Sequence, residues 1–172
     1  MLKESLTELV QVAEYCVQFR KDPTIWGSKG CYGYPAAILL LSIADSIGSY
    51  VIGGSVPNHF NILNDPIYYN LNLDKKSIKI IYEDYRNLLT HNSAMAFEIR
   101  LDIGGENDPV FEVKNDIPYL RLFPFLKVTK KAVKFFLEKA NDIVPSSGQH
   151  KVIIKKSKKF QGRISHCCLN EE

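Results

Sequence analysis

The chain reads as a mainly α-helical protein, a four- to five-helix up-and-down bundle with a β-hairpin inserted between its motif-bearing helix and its last helix. Three observations predict this. Apolar residues recur at i, i+3, i+4 spacing through most of the first 89 residues and again from about 124 to 143. The period changes to two only between Phe97 and Val113. Pro and Gly cluster between these segments rather than within them.

The first helix is expected over about residues 3 to 21, where Leu2, Leu6, Leu9, Val10, Ala13, Cys16 and Val17 form one stripe. Ser5-Leu6-Thr7-Glu8 has the form of a capping box, and Asp22-Pro23 is the stop. The loop Thr24 to Gly33 holds three glycines and the single tryptophan, Trp26. Pro35 suits the first turn of a second helix, over about 35 to 52, which Gly53-Gly54 ends. Its many apolar residues mark it as the central, mostly buried helix.

Asp45 stands among Ile38, Leu41, Ile43 and Ile47 of that helix, where an ionised carboxylate is costly unless donors reach it. Either Arg86 supplies them, or Asp45 lies on a polar strip with Ser42, Ser46 and Ser49. Residues 59 to 63 and 67 to 69 are read as a short helix or a structured loop. A third long helix starts at Asp74 or Ser77, either of which can cap it, and carries Ile78, Ile81, Tyr82, Tyr85, Leu88 and Leu89 on one face.

Phe97, Ile99, Leu101 and Ile103 alternate with polar residues, and Gly104 to Pro109 leads to Val110-Phe111-Glu112-Val113, so these two runs are expected to pair as the hairpin. The last helix follows Pro124 and Thr129, with Val128, Ala132, Phe135, Phe136 and Ala140 inward. Lys127, Lys130, Lys131 and Lys134 form a basic stripe roughly opposite. Such a stripe can track a phosphate backbone or simply be solvated.

At 172 residues, 45% hydrophobic and 24% charged, the chain is expected to form one domain over residues 1 to 144, with the hairpin insertion at about 96 to 123. Residues 145 to 172 carry six basic against two acidic side chains, a net +4 out of the whole chain's +3. They read as a basic tail that either meets an acidic partner or serves solubility. Ala36 to Ala44, the longest run that is apolar but for one serine, is broken by Asp45 and is short for a membrane span, and residues 1 to 5 lack the pattern of a secretory signal. A cytoplasmic location without membrane contact is the expectation. Cys16, Cys31, Cys167 and Cys168 do not fall at zinc-ligand spacings, so free thiols, no metal and no cofactor are expected.

The most distinctive feature is Arg86-Asn87-Leu88-Leu89-Thr90-His91 at the end of the third helix. An arginine offers a planar fork of donors to a phosphate, and a histidine can take or give a proton near neutral pH. Five residues at about 100° each leave the two side chains about 140° apart on a straight α-helix. Convergence therefore requires that the helix end or bend near Thr90, which His91-Asn92-Ser93 permits, or that a second subunit contribute its own copy.

The motif resembles that of the HEPN domains, in which an arginine is followed by a polar residue and, four to six positions after the arginine, a histidine, on a helical bundle. The layout of residues 1 to 144 is similar too, while the hairpin and the tail lie outside the pattern. The resemblance implies a metal-independent endoribonuclease that acts as a homodimer with both motifs lining one cleft, in some members a toxin countered by an antitoxin protein. It implies His91 as general acid or base while a ribose 2′-OH attacks the adjacent phosphate, Arg86 as stabiliser of the developing charge, and Asn87 as the group that orients the phosphate or His91. Lys127, Lys130, Lys131 and Lys134 would assist RNA binding, with Asp45, Tyr85, Thr90 and Asn92 in support. Other members of the family bind without cleaving, so a non-catalytic helical dimer that binds nucleotide, RNA or protein is the alternative.

Overall fold

A computed structural model describes residues 2–87, 89 and 98–148. Thr90, His91, Asn92 and the tail beyond residue 148 lie outside the described residues. The chain is mostly helical, with one small sheet. In order, the elements are α1 (Leu2–Gln18), α2 (Pro23–Trp26), α3 (Gly33–Val51), α4 (Val56–His59), a 3-10 segment (Phe60–Asn64), α5 (Lys75–Ile80) running into a π-helical segment (Ile81–Asn87), β1 (Arg100–Asp102), β2 (Phe111–Lys114), β3 (Ile117–Arg121) and α6 (Leu122–Ser146).

The three long helices α1, α3 and α6 pack pairwise on one another, and α3 is the centre of the core. Ala36, Ala37, Leu40, Leu41, Ile43, Ala44 and Ile47 are all at most 1% exposed, which places α3 inside on most of its circumference. By length and composition this 19-residue helix could span a bilayer; here half of it is buried against its neighbours. The helix ends as expected at Gly53, whose φ of +70° lets its amide reach back to the Gly48 carbonyl at 3.0 Å.

One helix start differs from the sequence reading and another is settled between its two candidates. The capping box at Ser5 is not used, because α1 begins three residues earlier, at Leu2, and the Thr7 hydroxyl instead donates to the Lys3 carbonyl one turn back. At its other end α1 stops at Gln18, where the Arg20 guanidinium donates to the carbonyls of Val17, Gln18 and Phe19. For α5 the choice between two caps resolves to Asp74, whose carboxylate accepts from the Ser77 amide at 2.7 Å.

The sheet corrects the expected hairpin. Its strand order is β1-β3-β2, with β1 parallel to β3 and β2 antiparallel to it. The two alternating runs are therefore not partners; the strand between them, Ile117–Arg121, was not foreseen. The hairpin within the insertion is β2–β3, turned by Asn115 and Asp116, both in the left-handed conformation that Asn and Asp tolerate. Arg121 then ties the sheet to the preceding loop: its guanidinium donates to the Glu112 carboxylate and to the Pro109 carbonyl, and lies 3.6 Å from Asp102 and 3.7 Å from Asp108. The last helix starts at Leu122, directly after β3, and continues through Pro145 to Ser146, beyond the expected boundary of the tail.

Candidate functional site

The site grows from the contact of α3 with α4 and with the π-helical segment. Gly48 makes the first contact possible. A Cβ at this position would lie 2.2 Å from the His59 carbonyl oxygen and 2.9 Å from its Cα, so only a glycine lets the two backbones come this close. Asp45 lies three residues before Gly48 and so presents its side chain on the same face. The approach places the His59 ring against it, with Nδ1 2.7 Å from Asp45 Oδ1. A carboxylate only accepts, so in this contact Nδ1 is the donor.

Arg86 completes the arrangement from the other side. Its Nη2 donates to Asp45 Oδ2 at 3.0 Å, and its Nη1 donates to Asn87 Oδ1 at 3.0 Å. The carboxylate is thus shared, one oxygen to an imidazole and one to a guanidinium. The Asp45 and Arg86 side chains are about a fifth exposed, at 18% and 22%, and that of His59 only 9%. Shielding of this degree strengthens the ion pair over a surface one and raises the cost of removing either member. Of the two surroundings read for Asp45, the one found is Arg86; the neighbouring Glu83 lies 3.7 Å from Lys79. The serines of the polar strip turn back on their own helix: Ser46 donates to the Ser42 carbonyl and Ser49 to the Ser46 carbonyl.

Local backbone geometry bears on the motif. Through Ile81–Asn87 the helix widens to i→i+5 hydrogen bonding, so the 100° increment of a regular α-helix does not hold at Arg86. Tyr85 anchors this segment. It is fully buried, its ring meets Phe111 edge-on at 6.4 Å, and its hydroxyl donates between the carbonyls of Arg100 and Pro118, at 2.8 and 2.9 Å. The residue beside Arg86 is thereby pinned to both β1 and β3. His91, with Thr90 and Asn92, is outside the described residues.

Burial pushes the Tyr85 phenol well above its ordinary range. A phenol raised in the fold stays protonated where the unfolded chain has ionised, so its stabilisation is complete below about pH 10 and is lost as pH rises further. Tyr85→Phe is expected to lower stability by about 1–2 kcal/mol at neutral pH, since two buried carbonyls lose a donor. It is also expected to make the alkaline decline shallower. Urea unfolding at pH 7 and at pH 10.5 measures both effects; an unchanged midpoint at pH 7 contradicts the anchoring role.

Lys127, Lys130, Lys131 and Lys134 of α6 are all exposed, yet they do not form one free cationic track. Lys127 Nζ is 2.8 Å from Glu106 and Lys130 Nζ 2.8 Å from Glu14, which turns those two toward the 104–109 loop and α1. Lys131 and Lys134 make no ion pair among the described residues. Sequence reasoning missed His59 and Gly48. A lone glycine inside an apolar helix five residues before its Gly53-Gly54 end flags nothing, and a histidine in a short segment gives no sign that it faces a carboxylate 14 positions earlier.

No group of three or more His, Cys, Asp or Glu able to hold a metal ion occurs among the described residues. Cys16 and Cys31 are buried free thiols, and burial pushes both up from the usual thiol range. No family model matches this chain, and neither a curated protein nor a solved structure is significantly similar to it.

Proposed function

We propose that the chain is an endoribonuclease of the HEPN type, working without a metal in a composite site that a second copy completes. The observation that carries this reading is the Asp45-held guanidinium of Arg86. A guanidinium has five N–H donors, and among the described residues Asp45 and Asn87 occupy two. The rest have no partner among the described residues, and the fork is held by these two partners before any substrate arrives.

In this reading the 2′-OH of a ribose gives its proton to His91 and attacks the adjacent phosphorus. Arg86 stabilises the charge that gathers on the non-bridging oxygens, and the 5′-oxygen leaves with a proton, producing a 2′,3′-cyclic phosphate. Asn87 orients the guanidinium through its Oδ1, a more specific duty than orienting the phosphate or His91. Asp45 and His59 are positioning residues for Arg86. The up-and-down arrangement of the bundle, the homodimer and an antitoxin partner belong to the same reading.

The decisive assay incubates the chain with single-stranded and structured RNA in excess EDTA. Wild type is expected to cleave and the Arg86→Ala, His91→Ala double variant to lose cleavage by at least about a hundredfold. Identical product patterns from the two proteins overturn the reading. A non-catalytic helical dimer is the second reading, favoured by the same ion pair, because a paired arginine also serves packing. Its signature is a loss of stability or of the dimer in Arg86→Ala with no RNA cleavage by wild type.

A further inference from the structure

The end of the molecule formed by the α1–α3 connection exposes an unusual number of aromatic rings. Phe19 stacks on Tyr32 with centroids 4.3 Å apart and planes 9° from parallel, Tyr15 packs against Phe19 at 5.9 Å, and Trp26 meets Tyr32 edge-on at 5.7 Å. These contacts hold the rings in place without covering them: Tyr15 is 61% exposed, Trp26 49% and the nearby Tyr34 48%. Gly27, at φ +68°, ends the short helix that presents Trp26.

Cations are interleaved with these rings. The Lys21 ammonium lies 5.6 Å from the Trp26 centroid and 5.9 Å from that of Tyr32. Lys21, Lys29 and Tyr34 line a cleft of about 410 Å³ beside β1. Neither lysine has a carboxylate partner among the described residues. The local acids are engaged elsewhere, Asp22 with the Thr24 amide and hydroxyl and Asp102 with Arg121.

Exposed rings held in place and alternating with ammonium groups that have no carboxylate partner among the described residues are what unstacked bases and their phosphates require. We propose that this face is a platform for single-stranded RNA, with bases stacking on Trp26 and Tyr34 and phosphates meeting Lys21 and Lys29. The proposal rests on the reading of the chain as an RNA-acting protein and names where its substrate is held.

Trp26 is the single tryptophan, so its fluorescence reports on the platform alone. The probe is a 12-nucleotide 2′-O-methyl oligouridylate, which stacks but offers no attacking hydroxyl, compared with a duplex of equal length. The single strand is expected to quench Trp26 saturably and the duplex not to. Tyr34→Ala should weaken binding about tenfold, and Lys29→Gln should lower the slope of log affinity against log salt by about 1. Both side chains are exposed, so neither variant threatens the fold. Absence of quenching, equal quenching by duplex, or unchanged affinity in Tyr34→Ala overturns the platform; so does burial of Trp26 by self-association, which makes the face a protein contact. Quenching without cleavage of ordinary RNA leaves the platform standing and removes only the nuclease reading.

Discussion

Replacing Gly48 with alanine is expected to destabilise the protein by about 3 kcal/mol, although alanine is the better helix former. Helix propensity favours the change by up to about 1 kcal/mol. Against it stands a methyl group 2.2 Å from a carbonyl oxygen and 2.8 Å from its carbon, both backbone atoms that cannot rotate away. The α4 backbone must move, and forced repacking of this kind costs about 1–3 kcal/mol or more before the lost His59–Asp45 hydrogen bond is included. The steric effect wins. A midpoint of urea unfolding equal to or above that of wild type would show that α4 is not seated on α3 as described.

The second large effect is expected from Asp45→Asn. The substitution keeps the shape of the side chain and removes the charge that faces both Arg86 and the His59 ring. A guanidinium only 22% exposed then loses its counter-charge, and breaking such a pair costs about 2–4 kcal/mol. The double-mutant cycle of Asp45→Asn with Arg86→Ala separates this from general damage. Coupling of about 1–3 kcal/mol is expected, and coupling near zero would mean that the pair does not hold the site together. In the nuclease reading the same variant also slows RNA cleavage, since Arg86 keeps its charge but not its aim.

How far the sequence foretold this arrangement depends on how local each feature is. The long helices α1, α3 and α6 were legible because an amphipathic or fully apolar stripe is written in consecutive turns, and Gly53 ended α3 for a purely backbone reason. The Asp45–Arg86 pair was one of two readings because a carboxylate in an apolar run demands a partner, which either a cation or a polar strip can supply. Other features are non-local. The alternation in β1 and β2 showed two strands but not that β3 lies between them, since period two says which face is buried and nothing about which strand is adjacent. Pro118 within β3 also obscured that strand.

The π-helical turn at Ile81–Asn87 has the same apolar stripe as an α-helix and differs from it by one residue per hydrogen-bonded ring, a difference that no spacing reveals. His59 was invisible for a steric reason, because its place depends on a Cβ that Gly48 does not have.

The most direct test of the account follows the chemistry of the scissile bond. An RNA carrying a single 2′-deoxy nucleotide at the cleaved position is compared with its all-ribose parent in excess EDTA, and the product ends are identified. The account predicts cleavage of the parent to a 2′,3′-cyclic phosphate, no cleavage at the substituted position, and loss of both products in the Arg86→Ala, His91→Ala double variant. Cleavage of the deoxy-substituted position at the parent's rate, or a parent product ending in a 3′-hydroxyl, would contradict it.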